Sequence, residues 1–330
     1  MATDAQQRRL FASLLEQYGR AIAAAFLRST SQARNRVDFT ALRDAIEAGD
    51  VERVVQVLNY GATTLLPVTE EMRAAFVAGG ASAADIVPSR AVFGFDARNP
   101  NADAWVLQRG AELVQGIQQD TLAMTRTVIL DRLQQGRSSN SAALDIVGRM
   151  DGGKRRGGFL GLTSEQTDWS ISARNELAEL DRNFLSRKLI TDRDRKTVQR
   201  AIDSGKPLTQ KQIDNISGRY KDRLLRYRGT TIARNEAHTA LAEGQSQGFQ
   251  QLIDDGKIDG ATKRWQWNDG SQDPRVDHQA MSSAPARPLN EPFVFPDGAV
   301  MDHPHDPAGG AKHSIGCRCI CIYRPVVSAD

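Results

Sequence analysis

The sequence predicts a mainly α protein: a multi-helix body followed by a small, loop-rich α+β module at the C-terminus. Three observations carry this expectation. Apolar residues recur at helical spacing through most of the first 229 residues, with capping residues and glycines where the periodicity starts and stops. After about residue 255 the texture changes to short β-prone runs, Trp265-Gln-Trp267, Phe293-Val-Phe295 and Cys319-Ile-Cys-Ile-Tyr323, separated by Gly, Pro, Asp and Asn. All three cysteines (Cys317, Cys319, Cys321) and all five histidines (His238, His278, His303, His305, His313) lie in the last 93 residues.

Each element has a local reason. Leu10, Leu14, Tyr18, Ile22 and Phe26 recur every four residues and form one apolar helix face, widened by Phe11 and Leu15. Shorter helices are expected from Phe39 to near Gly49, from Val51 to Leu58, and from Thr69 to Gly79-Gly80. Residues 81–99 show no period and read as a connector. Asn99-Pro100 then opens a long helix, because Asn suits the cap and Pro suits the first helical position. Ser138 caps a helix running through Met150. Thr163-Ser-Glu-Gln166 has capping-box spacing and starts a helix carrying Trp169, Leu177 and Phe184. Thr191 and Thr209 are further N-caps, and the pattern after Gln210 either runs on through Gly229 or breaks there. The segment 151–158 (DGGKRRGG) reads as a flexible hinge, with a basic loop touching DNA backbone or an acidic partner as the alternative. The chain thus divides into an N-terminal helical region (1–94), a long-helix region (95–150), a Gly/basic linker (151–158), a second helical region (159–229) and the C-terminal module (230–330).

At 330 residues, two or more domains are expected. Hydrophobic content of 40% and charged content of 25% are those of an ordinary globular protein. No apolar run reaches the roughly 18 residues of a membrane helix, and the polar N-terminus lacks the pattern of a secretory signal, so a cytosolic origin with no membrane partner is expected. Charge is unevenly spread. Residues 151–235 hold 19 Lys+Arg against 11 Asp+Glu, whereas 236–330 hold 8 against 13. A basic middle beside an acidic end suggests contact with DNA or an acidic protein face, the alternative being a solvated helical surface. Arg187, Lys188, Arg193, Arg195, Lys196 and Arg200 cluster around one helix start and are the candidate contacts.

Five segments of the C-terminal part, in order, carry a resemblance. They are Ile232-Ala-Arg-Asn-Glu-Ala-His-Thr-Ala240 followed by Gly244; Trp265 with Asp273-Pro-Arg-Val-Asp-His278; Phe295-Pro-Asp-Gly298; Pro304-His-Asp-Pro307; and Gly316-Cys-Arg-Cys319. Over roughly residues 230–322 they resemble the phage Mu F-like minor head protein (phage head morphogenesis) family. The stretch from Phe95 through Thr163 resembles the helical region upstream in such proteins more weakly. Two departures stand out: Gly316 replaces the expected Asn, and Cys321 is a third cysteine. The resemblance implies a minor capsid protein of a tailed phage. It would associate with portal, scaffold or major capsid protein during procapsid assembly in the host cytoplasm, and stay in the virion interior near packaged DNA.

The same residues also suggest chemistry directly. Arg234, Glu236, Asp273, Arg275 and His278 could form a buried ion-pair network that staples a module with a small core. Alternatively, Cys317 and Cys319 with His278 and His305 could hold a structural zinc ion, the one cofactor suggested and none being required. The C-x-C spacing speaks against zinc, since a strand would send both side chains to one face while usual knuckles are C-x₂–₄-C; a packed, reduced pair is the alternative. Catalysis is not expected. His303-Pro-His305 lies in a Pro/Gly-rich loop without a helical H-x-x-x-H frame, and no phosphate-binding loop appears. The competing functional classes are a metal-dependent hydrolase or nuclease acting on packaged DNA, and a general DNA-binding virion protein.

Overall fold

The computed structural model describes residues 1–88, 93–267 and 275–327. Asp273, expected in the ion-pair network, lies outside them. The described residues are mainly helical with a small α+β part at the C-terminal end, as the sequence predicts. None of their helices is long and apolar enough to cross a membrane.

The helices begin where short polar side chains can satisfy free backbone N–H groups. Helix α1 (Asp4–Arg36) is preceded by Thr3, whose Oγ1 accepts from the Gln6 amide while Gln6 Oε1 accepts from the Thr3 amide. Asp38 caps α2 (Phe39–Glu47), and Asp50 caps α3 (Val51–Leu58), which ends on left-handed Asn59. Helix α4 (Ala62–Ala81) carries Pro67 inside it and starts seven residues before Thr69, where the sequence reading began it. Buried Leu65 and Val68 flank the proline, so burial on both sides outweighs the lost backbone bond. Asn99 Oδ1 accepts from the Asn101 amide at the start of α5 (Pro100–Gln134). Ser138 caps α6 (Ser139–Val147).

The expected hinge is a β-hairpin. Strands β1 (Arg149–Asp151) and β2 (Lys154–Arg156) pair antiparallel around Gly152-Gly153, with φ of +55° and +78°. Two consecutive positive φ values are what a tight two-residue hairpin turn requires, so these glycines make a turn where the composition read as flexibility. The segment after it is pinned: the Gly157 amide donates to Asp222, and buried Arg34 donates to the Gly158 and Leu160 carbonyls.

Helix α7 (Ser164–Glu179) carries the expected capping box at Thr163 and Gln166. It ends at left-handed Leu180, so Phe184 sits in a separate 3-10 turn. Thr191 caps α8 (Asp192–Ser204), and α9 (Gln210–Asp254) runs 45 residues without a break at Gly229. Strand β3 (Gly260–Gln266), α10 (Val276–Ser282), β4 (Arg287–Pro288), β5 (Phe293–Val294), β6 (Val300–Met301), α11 (Gly310–Ser314) and β7 (Ile320–Val326) follow. β3 is central in the antiparallel order β4-β3-β7, with Trp265 opposite Cys321; β5 and β6 form a second pair.

The chain forms two compact units, each discontinuous in sequence. The first takes Met1–Ala24, Val68–Gly110 and Thr230–Asp330; the second takes Ala25–Pro67 and Ala111–Gly229. These do not coincide with the five consecutive segments read from sequence, because α1, α4, α5 and α9 each contribute residues to both. In the first unit α9 packs closely on α4: a Cβ on Gly244 would lie 2.0 Å from the Phe76 carbonyl oxygen. Its core gathers Trp265, Phe249, Phe293, Phe295, Tyr323 and the three cysteines. In the second unit, buried Lys221 pairs with Asp145 at 3.3 Å. Burial alone would raise the Asp145 pKa, but Lys221 and Arg137 hold it down at about 2.

Candidate metal centre

Three ligand-type side chains converge in the first unit. α10 supplies His278 from its first turn, and the segment between α11 and β7 supplies Cys317 and Cys319. His278 Nδ1 lies 3.4 Å from Cys317 Sγ and 3.5 Å from Cys319 Sγ, and one ligand atom from each residue falls within 4.8 Å of the others. With Zn–N near 2.0 Å and Zn–S near 2.3 Å, a tetrahedron has N···S edges of about 3.5 Å. The two N···S distances therefore match the edges a tetrahedral ion imposes.

The objection from C-x-C spacing falls away because β7 begins only at Ile320. Both cysteines lie in the turn before it, where the Cys319 amide donates to Cys317 Sγ at 3.3 Å. Gly316, with φ of +74°, starts that turn. The position needs a left-handed backbone, which Gly and Asn both tolerate, so Gly in place of Asn is a neutral departure here. The hydrogen bond from Cys319 holds the Cys317 thiol well below the usual range despite burial; its bond to Cys317 and burial push Cys319 up. Cys321 stands apart in β7, and burial pushes its thiol up to about 12.

A hydrogen-bond chain orients the imidazole. His313 Nε2 lies 3.0 Å from Asp297 Oδ2, and His313 Nδ1 lies 3.1 Å from His278 Nε2. A carboxylate only accepts, so Nε2 of His313 donates to it. In neutral rings His313 Nδ1 then accepts from His278 Nε2–H, which leaves the His278 Nδ1 lone pair facing the two sulfurs. A carboxylate–histidine relay behind a ligand histidine is the usual outer-shell arrangement of metal sites. Asp277, His278 and His313 form a second possible ligand group sharing His278, but there His278 Nε2 and His313 Nδ1 already face each other.

Of the four residues expected to hold zinc, the structure brings three together. His305 lies beside them but is engaged elsewhere: Nε2 lies 2.9 Å from the Cys317 carbonyl oxygen and Nδ1 3.2 Å from Asn235 Oδ1. Its backbone is left-handed, with φ of +67°. Among the described residues the expected ion-pair network is not formed. Glu236 instead receives a two-pronged hydrogen bond from Arg109, at 2.8 Å for each prong. Arg275 donates to the Ile315 carbonyl, and Arg234 is exposed on α9. Arg109 lies 127 residues from Glu236, and no local pattern signals such a partner. Asp297, His313 and Glu243 were likewise given no role by sequence. Asp297 stood as the variable residue of the Phe295-Pro-Asp-Gly298 turn.

Buried His303 bridges Glu243, 2.8 Å from Nε2, and the Pro304 carbonyl, 2.9 Å from Nδ1. Both partners are acceptors, so the ring is fully satisfied only as the cation. Burial by itself would lower its pKa, but the bond to Glu243 and that residue's charge raise it. His238 is the opposite case. It is 1% exposed, neither ring nitrogen has a hydrogen-bond partner among the described residues, and burial followed by the neighbouring His305 holds it well below its ordinary pKa.

In the second unit, Lys188, Arg193, Arg195, Lys196 and Arg200 are exposed around the start of α8. Arg187 is not a free contact: it clamps Glu176 with two bonds of 2.6 and 2.7 Å. No protein-family model, curated protein or solved structure matches the chain.

Proposed function

We propose that this chain is a minor head protein of a tailed phage that works by binding and assembly, with its C-terminal module held by a structural zinc ion. The observation that carries the reading is the buried His278, Cys317 and Cys319 cluster, built from the same segments that resemble the head-morphogenesis family. His278 Nδ1 and the two sulfurs would hold the ion, with Asp297 and His313 fixing the imidazole. Bound zinc would supply folding free energy to a module whose strands are short. Portal, scaffold or major capsid proteins are the partners, and packaged DNA the neighbour. The exposed basic residues near α8 support the last point. Co-expression of the full chain with portal protein tests the assembly role. Stable co-purification is expected, and a chain that never associates with portal, scaffold or capsid protein contradicts it.

One observation favours a second reading, a metal-dependent hydrolase acting on packaged DNA. The set has three protein donors among the described residues, and Cys317 also lines a cavity. Three ligands and an open position are typical of catalytic zinc. A nuclease assay on zinc-loaded protein separates the two, and the assembly reading expects no cleavage.

A further inference from the structure

Beside the cluster, the first unit contains a cavity of about 240 Å³, the space of roughly eight water-sized groups. Helix α1 contributes Arg8, Phe11 and Leu15, and α9 contributes Arg234 and His238. The ends of the sheet strands add Trp267, Arg318 and Ile320. Among the described residues the lining holds three arginines and no carboxylate, beside an apolar wall of Phe11, Leu15, Trp267 and Ile320.

His238 makes this more than a surface hollow. Its ring faces are covered: it stacks on His305 with centroids 3.8 Å apart and meets the Phe11 ring at 4.8 Å. Its two nitrogens nevertheless have no hydrogen-bond partner among the described residues, although the residue is only 1% exposed. Leaving a buried polar group unpaired destabilises the fold, so unpaired groups of this kind mark places where a partner is expected. A neutral imidazole offers one N–H donor here, and the arginines offer positive charge at the rim.

We propose that this cavity binds a carboxylate attached to a short apolar body. The carboxylate sits between the arginines and the His238 N–H, and the apolar part lies against Phe11, Leu15, Trp267 and Ile320. Either a free small acid or the C-terminal residue of a peptide has this chemistry. The site needs no metal and stands independently of the assembly role.

The test is calorimetric titration of the full chain with three probes: 4-methylpentanoate, N-acetyl-Ala-Ala-Leu with a free carboxylate, and its C-terminal amide. Saturable binding of at least one acid is expected, with the amide at least tenfold weaker. Tighter binding of the tripeptide acid assigns the site to a peptide C-terminus; tighter binding of 4-methylpentanoate assigns it to a free acid. His238→Leu should weaken binding at least tenfold while leaving the melting temperature unchanged or higher, because it removes an unpaired polar group. Exposed Arg234→Gln should also weaken the acids and narrow their advantage over the amide, which keeps the test valid if His238→Leu folds poorly. No binding by either acid, equal binding of acid and amide, or wild-type affinity in both variants would overturn the proposal.

Discussion

An imidazole can be pinned through one nitrogen and offered through the other, and the buried histidines of the first unit use this freedom differently. His278 is pinned by His313 and Asp297 and offers Nδ1 to the sulfurs. Replacing Asp297 by Ala removes the acceptor that fixes the relay. Zinc affinity, measured by competition with a chromophoric chelator, should fall about 10–100-fold while the fold is retained. Unchanged affinity would remove Asp297 from the centre. His303 offers neither nitrogen, since both face acceptors. Its folded pKa is raised, so the stability it contributes is fully present below its unfolded value of about 6.5 and is lost as pH rises through the folded value. Glu243, whose pKa is lowered despite burial because His303 bonds to it, acts oppositely and loses its contribution as pH falls. Asp306 and Lys263 also face this pair. Urea unfolding should therefore show a loss of stability as pH rises above about 6.5. Glu243→Gln should flatten that slope and cost about 1.5–3 kcal/mol at pH 6.

Helix contacts in the same unit depend on glycines that only the packed structure distinguishes. Gly244→Ala would drive a methyl group into the Phe76 carbonyl of α4 and should cost about 1–3 kcal/mol or more by thermal unfolding. Gly19→Ala, in α1 with nothing within 4 Å of the new carbon, should be neutral or stabilise by about 0.5–1 kcal/mol. Equal effects would show that the α4–α9 approach is not tight. Both residues look alike in sequence, as glycines within helical patterns, because a close approach depends on a partner far along the chain. Caps are different. Thr163 with Gln166, Thr191, Ser138 and Asn99-Pro100 were legible because the bonds they make close within four residues. The hairpin at Gly152-Gly153 was missed because glycine serves flexible linkers and tight turns alike, and flanking charge hid the strands. The α4 start was missed because Pro67 reads as a terminator, whereas burial carried the helix through it.

At the level of the whole chain, the two units separate two kinds of chemistry. The first holds every histidine and cysteine. The second holds the exposed cations at the start of α8. Lys188, Lys196 and Arg200 changed together to Glu should reduce DNA binding and flatten its dependence on salt, since each phosphate contact releases counterions. Circular dichroism should show intact helices. Identical salt-dependent binding by wild type and variant would mean that these side chains only solvate the surface. The candidate site was half legible. Cys317, Cys319 and His278 stood out by residue type, but Asp297, His313 and Arg109 became meaningful only as partners across long sequence separations. The central claim is that the C-terminal module is stapled by zinc, and the most direct measurement is metal analysis of the full chain with thermal unfolding in the presence and absence of chelator. The account predicts about one zinc per chain, a melting temperature lowered by chelation, and no response to chelator once Cys317 and Cys319 are changed to Ser. Metal-free protein that melts identically with and without chelator, and identically to the double variant, would contradict it.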